Sequence, residues 1–261
     1  GAYNILYLSS KGDLGIIRDP YGFKPLVFGE NEECYAVASE SVALRKIGIN
    51  DFEPVVPGSA MIIDNNGINK KIIKSSDRRA FCFFEYAYFS KLGSINDNMS
   101  VYSVRINLGN ELADLISRGE LISSLKTSPG RALIVPVPNT AITAGEQVGR
   151  RLGLNYSCAA LIKSDSERGF INKAERRDLV MSRVYDVIPE AVKGKIVLLV
   201  DDTIVRGETS KRIIQCVREA GAEEVHLLVT VPPIKHGCFY GVDFLTEELI
   251  VDKYKNENLE D

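Results

Sequence analysis

The 261-residue chain is long enough for one large domain or two ordinary ones, and its 45% hydrophobic and 26% charged residues suit a folded globular protein. With 32 Lys+Arg against 35 Asp+Glu the net charge is −3, which excludes a broadly basic nucleic-acid surface. No apolar run approaches the roughly 20 residues of a membrane span, and no charged-then-apolar leader opens the sequence. The triplets Asn98-Met99-Ser100 and Asn155-Tyr156-Ser157 therefore read as chance, not as glycosylation sites. The five cysteines are odd in number and scattered, which fits a reducing compartment better than a disulfide framework. The expectation is a soluble, cytoplasmic α/β protein.

Residues 1–78 hold short apolar runs, Tyr3–Leu8, Leu14–Arg18, Pro25–Phe28, Cys34–Ala38 and Ala60–Ile63, broken by turn residues. Asn66-Gly67 between two such runs marks a hairpin, and only Glu40–Ile47 has a helical pattern. This part reads as an antiparallel sheet region. From about residue 79 helices alternate with strands. Ser100 is a fitting N-cap for a helix carrying Val101, Val104, Leu108, Leu112, Leu115 and Ile116. Strands are expected at Ala132–Val137, Tyr156–Ile162, Lys195–Val200 and Val225–Val231, with helices over Ala141–Leu152 and Thr209–Ala220. Gly153 and Gly221 sit where helices end. Such alternation implies βαβ units and a parallel sheet. Residues 163–190 read as a charged loop, and the tail from Glu247 as fraying. Cys34, Cys158 and Cys216 are read as core residues, His226 as embedded in a strand and His236 as structural.

The densest chemistry lies at Val200-Asp201-Asp202-Thr203-Ile204-Val205-Arg206-Gly207-Glu208-Thr209-Ser210. An apolar strand runs into two adjacent acids, then a turn that opens a helix. Backbone N–H groups at such a turn suit a phosphate, and the carboxyl ends of parallel strands form the crevice where open α/β sheets bind ligands. Two carboxylates alone would repel a polyphosphate; facing ribose hydroxyls, or holding Mg²⁺ through its waters, they fit. Without that context, the acids are a solvated strand end.

This string resembles the phosphoribosyl pyrophosphate (PRPP) motif of type I phosphoribosyltransferases. The likeness sharpens to the glutamine PRPP amidotransferase family. It is carried by Gly1-Ala2-Tyr3, Arg18-Asp19-Pro20-Tyr21-Gly22-Phe23-Lys24-Pro25-Leu26, Val37–Ser41, Phe84–Phe89, Ser100-Val101-Tyr102, Val135–Pro138, Val200–Gly207 and Cys238–Asp243. The resemblance implies that 1–78 is the C-terminal part of an N-terminal-nucleophile glutaminase-like domain. It makes 79–261 a type I phosphoribosyltransferase domain, a parallel sheet with helices on both faces. The implied reaction forms phosphoribosylamine and pyrophosphate from PRPP and ammonia.

By the same resemblance PRPP is bound by Asp201, Asp202, Thr203, Val205, Arg206, Gly207, Glu208, Thr209 and Ser210. Mg²⁺ is held at Thr140, Asp201 and Asp202, and Lys163 and Arg168, with Arg183 a third basic residue in reach, face the pyrophosphate. Read without it, Pro136-Val137-Pro138-Asn139-Thr140 is a simple strand-ending turn and the loop cations are solvated. Family members begin with a cysteine nucleophile, whereas residue 1 here is Gly. A glutaminase-bearing polypeptide or an N-terminal segment is therefore expected as partner, within a homo- or hetero-oligomer. The loop at Lys163–Ile171 is one residue shorter and more acidic than the family pattern, and Glu208 stands where the family has Thr. Cys82 and Cys238 match two of four [4Fe–4S] ligands of cluster-containing members. No complete cluster is expected in this chain alone. Two other readings stand beside this one, a nucleobase phosphoribosyltransferase and a catalytically weak PRPP-binding or scaffolding subunit of a purine-synthesis complex.

Overall fold

Short β-branched and aromatic runs between turn residues fold as seven strands in the first 72 residues. These are β1 (Asn4–Leu8), β2 (Leu14–Arg18), β3 (Val27–Glu30), β4 (Tyr35–Ala38), β5 (Phe52–Pro54), β6 (Ser59–Asp64) and β7 (Gly67–Ile72). A computed structural model describes residues 1–119, 125, 130–163, 185–242 and 249–253. The chain divides into two units, Gly1–Val104 with Phe239–Val242, and Arg105–Cys238 with Asp243–Asp261.

In the first unit β1-β2-β6-β7 form one antiparallel sheet and β4-β3-β5 another. Ile16, Met61 and Ile63 of the first pack with Leu26, Phe28 and Val55 in one buried cluster. The alternate positions have no such cover: Ile5, Tyr7 and Ile62 are 47%, 65% and 51% exposed. Helix α1 (Ser41–Lys46) places Leu44 against Val27 and Ile49. Two residues of the Arg18-Asp19-Pro20-Tyr21-Gly22 motif serve the fold. Fully buried Arg18 makes paired bonds of 2.8 and 2.7 Å to Asp97, and its remaining donors reach the carbonyls of Lys24 and Val55. Asp97 is presented by a tight hairpin, β8 (Ile95–Asn96) to β9 (Met99–Ser100), whose tip residues Asp97 and Asn98 both have positive φ. Asp19 accepts the N–H groups of Tyr21, Gly22 and Phe23, fixing that turn.

Ser100 Oγ accepts the Ser103 N–H at 3.3 Å as α2 (Val101–Arg118) begins. The second unit continues with β10 (Ala132–Pro136), α3 (Ile142–Leu152), β11 (Asn155–Tyr156), β12 (Leu161–Lys163) and β13 (Tyr185–Val187). Then come α4 (Pro189–Val192), β14 (Ile196–Asp201), α5 (Glu208–Glu219), β15 (Glu224–Val229) and α6 (Ile250–Lys253). Four strands pair in parallel in the order β11-β10-β14-β15. Alternation along the strands supplies two cores. Ile134, Leu198 and Val200 meet Leu112 and Ile116 of α2 and Val148 of α3. Val135, Val197 and Leu199 meet Ile213 and Val217 of α5 and Val192 of α4. Helices thus cover both faces of the parallel sheet, as the sequence reading expected.

Four details differ from the sequence reading. The expected strand Tyr156–Ile162 is two. After β11 the Ser157 N–H bonds Ile134 O, and the chain leaves the sheet; β12 then pairs antiparallel with β13, Lys163 opposite Tyr185. β13 itself falls inside the stretch expected to be loop. Cys34 and Cys158 are exposed, not core, because one ends the turn capped by the Asn31 side chain and the other lies past the end of β11. Leu115 is 68% exposed, since Leu112, Ala113 and Ile116 take the buried face of α2.

Candidate functional site

Parallel strands end together, so whatever follows β10, β14 and β15 is gathered at one edge of the sheet. Three connections meet there. The turn after β10 carries Thr140, the turn after β14 runs from Asp202 to Gly207, and Thr230 follows β15. Val137 N–H donates to Val200 O at 2.8 Å and Thr230 N–H to Asp201 O at 3.0 Å, continuing the ladders past the regular strands.

Both acids are buried, Asp201 at 8% exposure and Asp202 at 5%. The Asp202 carboxylate accepts from Thr140 Oγ1 on one oxygen and from Thr203 Oγ1 at 2.9 Å on the other. Its carbonyl accepts from Thr230 Oγ1 at 3.1 Å. Asp201 accepts the Asp202 N–H at 2.9 Å. Burial, then the charge of Asp202, pushes the Asp201 carboxyl up to about 7. Burial also raises Asp202, opposed by the Thr140 and Thr203 hydroxyls and the charge of Arg105. The two acids therefore differ, one anchored and one poised to change its proton near neutrality.

The turn after them ends at Gly207, whose φ of +77° is a left-handed conformation that suits glycine. A Cβ there would lie 2.7 Å from Ile250 Cδ1, and the Ile250 N–H bonds Val205 O at 2.8 Å, so the start of α6 braces the turn. Helix α5 opens directly behind with Glu208 in its first turn. Arg206, Glu208 and Thr209 are exposed and Ser210 is buried. A turn that opens a 12-residue helix makes a fitting anion cradle, and Glu208 places a negative charge on it.

Of the residues singled out in the sequence, Thr140, Asp201, Asp202 and Thr203 form one hydrogen-bonded cluster, Val205–Gly207 lie in the adjoining turn and Glu208–Ser210 in the first turn of α5. Lys163 is exposed at the end of β12 and is not part of that cluster. Arg168 and Arg183 lie outside the described residues. Cys82 belongs to the first unit and Cys238 to the second. Among the described residues no three His, Cys, Asp or Glu side chains gather as a metal group. The donor set at Thr140, Asp201 and Asp202 is all oxygen, with adjacent buried carboxylates that a cation would relieve. This fits Mg²⁺, which keeps several waters and takes substrate phosphates for its remaining positions.

Arg105 and Thr230 escaped the sequence reading. Arg105 had a signal, a cation within the apolar stripe Val101, Leu108, Leu112 and Ile116 of α2. Thr230 had none, because nothing in the sequence indicates that its hydroxyl reaches the Asp202 carbonyl.

The sequence profile of the phosphoribosyl transferase domain matches residues 115–239. Amidophosphoribosyltransferase of Archaeoglobus fulgidus is 37% identical over 99% of this chain and 54% of its own length. The protein of that name from Methanothermobacter thermautotrophicus is 35% identical over 98% and 52%. Among solved structures, glutamine PRPP amidotransferase from B. subtilis, complexed with ADP and GMP, superposes with a TM-score of 0.83 at 35% identity, covering 97% of this chain and 54% of that one. The chain spans about half the length of the curated relatives it matches. Among the described residues no helix is long and apolar enough to cross a membrane. On sequence and fold together, this chain is similar to amidophosphoribosyltransferases over about half of their length.

Proposed function

We propose that the chain carries the PRPP-dependent transfer step of purine biosynthesis, forming 5-phosphoribosylamine and pyrophosphate from PRPP and ammonia. The observation that carries this reading is the buried acid pair at the end of β14, joined to the Gly207 turn at the head of α5, in a chain with these relatives. The 5′-phosphate sits on the amides of Arg206–Ser210, and Asp201 and Asp202 receive the ribose hydroxyls. Thr140 with the two acids would hold Mg²⁺, which supplies charge neutralisation for the pyrophosphate. By the family resemblance, Lys163 and Arg168 would supply positive charge to that leaving group.

The ammonia nitrogen bonds to C1 as the C1–O bond to pyrophosphate breaks, and the electron pair leaves with pyrophosphate. The surplus proton on nitrogen passes to solvent. Positioning and charge stabilisation do most of this work, because pyrophosphate leaves readily. Ammonia derives from glutamine when a polypeptide or segment bearing the glutaminase nucleophile is present. The uncovered sheet face at Ile5, Tyr7 and Ile62, and the one-sided pairing of β1, support such a partner in the first unit.

Pyrophosphate release from PRPP and Mg²⁺ tests the reading, with ammonium chloride at alkaline pH compared against glutamine. Release with ammonia, abolished by Asp202→Asn, is expected. PRPP binding without release would favour the second reading, a PRPP-binding or scaffolding subunit. The exposed Glu208 carboxylate on the phosphate turn points in that direction.

A further inference from the structure

A strand inside a sheet offers its carbonyls to its two neighbours in alternation. The end of β14 follows this rule for two residues. The Val200 carbonyl accepts from Val137 N–H on the β10 side at 2.8 Å, and the Asp201 carbonyl accepts from Thr230 N–H on the β15 side at 3.0 Å. The next carbonyl, that of Asp202, is due to return to the β10 side. It does not. Thr230 Oγ1 donates to it at 3.1 Å, so two consecutive carbonyls are drawn toward β15. The peptide between Asp202 and Thr203 is therefore reversed, and the strand ends at that peptide.

A planar peptide carries its C=O and N–H in opposite directions. With the carbonyl turned to Thr230, the Thr203 N–H faces away from β15, toward the side where Thr140 meets the Asp202 carboxylate. From this peptide the chain enters the turn that ends at Gly207 and opens α5. Asp202 is only 5% exposed, so a carbonyl that lost the Thr230 hydroxyl would have little water to take its place. Rotation of the peptide is then the ready relief, and it would carry the acid and the turn with it. Thr230 is placed for this by the pairing of β15, since it is the first residue past the register of Asp201 with Val229.

Resting on the PRPP reading above, we propose that Thr230 is a positioning residue of the site. Its hydroxyl holds the reversed peptide, and that peptide sets where the Asp202 carboxylate and the phosphate turn stand for a 5′-phosphorylated ribose diphosphate. Thr230 acts through the peptide and does not touch the ligand.

Three variants test this. Thr230→Val keeps the shape of the side chain and removes the donor, whereas Thr230→Ser keeps the donor; Thr230→Ala replaces the Val variant if that one does not fold. Calorimetry with PRPP and Mg²⁺ gives Kd, and melting without ligand gives Tm. Ser117→Ala is the control, because it removes a bond of the same kind far along α2, from Ser117 Oγ to Ala113 O at 2.8 Å. Thr230→Val is expected to raise Kd about tenfold, the worth of one hydrogen bond, with a Tm loss no larger than the control's. Thr230→Ser is expected to bind within about twofold of the parent. A Val variant that binds as tightly as the parent, or a weakened Kd that Ser does not restore, would overturn the role of Thr230 alone. If the unaltered chain binds no PRPP, the function proposed above falls and this role falls with it.

Discussion

Asp201 is under electrostatic tension, because its buried carboxyl sits at about 7 instead of the ordinary 3.8. A raised acid pKa means that the folded chain holds a proton the unfolded chain gives up. The site is unstrained below about pH 4, and stability declines as pH rises through the window from 3.8 to about 7. The full effect is on the order of 4 kcal/mol from the size of that shift. Asp201→Asn should therefore raise Tm at pH 8 in the absence of divalent cations, with little gain at pH 4, while PRPP binding is lost. A variant less stable than the parent at pH 8 would contradict this. Gly207 gives a second expectation at this scale. Ala in its left-handed conformation costs about 1 kcal/mol, and its methyl group presses on Ile250, 2.7 Å away. Gly207→Ala should lower Tm slightly and weaken PRPP binding by roughly tenfold, read by calorimetry.

Among the elements, the α2–α3 crossing is the most exacting. Gly109→Val would drive a branched side chain into the Ala144 backbone and force the helices apart. Overpacking of this kind costs about 1–3 kcal/mol, a Tm loss of roughly 2–12 °C by thermal melting. PRPP affinity should fall with it, since α3 follows directly on the turn whose Thr140 holds Asp202. The elements also show what a sequence can and cannot disclose. Strands β10, β14 and β15 were legible because each is an unbroken apolar run closed by turn residues, and α5 because its apolar positions recur at helical spacing. The acid pair and its turn were legible because strand, acids and glycine are contiguous. Strand β13 was hidden because Tyr185–Val187 is too short and mixed to stand out from its charged surroundings; only pairing with β12 makes it a strand. Thr230 was hidden because it lies 28 positions after Asp202 in the chain, and only the pairing of β14 with β15 brings the two together.

For the molecule as a whole, the two units differ in how far their surfaces are satisfied. The parallel sheet is covered on both faces, whereas among the described residues β1 pairs on one side only, with Leu6 and Leu8 on one face 51% and 70% exposed and Ile5 and Tyr7 on the other. An exposed edge with apolar side chains on both faces invites strand addition. The isolated chain should self-associate with rising concentration in sedimentation velocity, and Leu8→Lys should suppress this without altering the melting of the second unit. A chain that stays monomeric at high concentration would refute it.

The alternation along β14 has one more effect, on which changes of length the protein can accept. The side-chain parity that assigns four residues to two cores also sends Asp201 and Asp202 to opposite sides. Adding or removing one residue in that strand would exchange both assignments at once, so core and chemistry would fail together. Single-residue insertions and deletions are therefore excluded from Ile196–Asp201, and divergence in length is channelled into the connections beyond the strand ends.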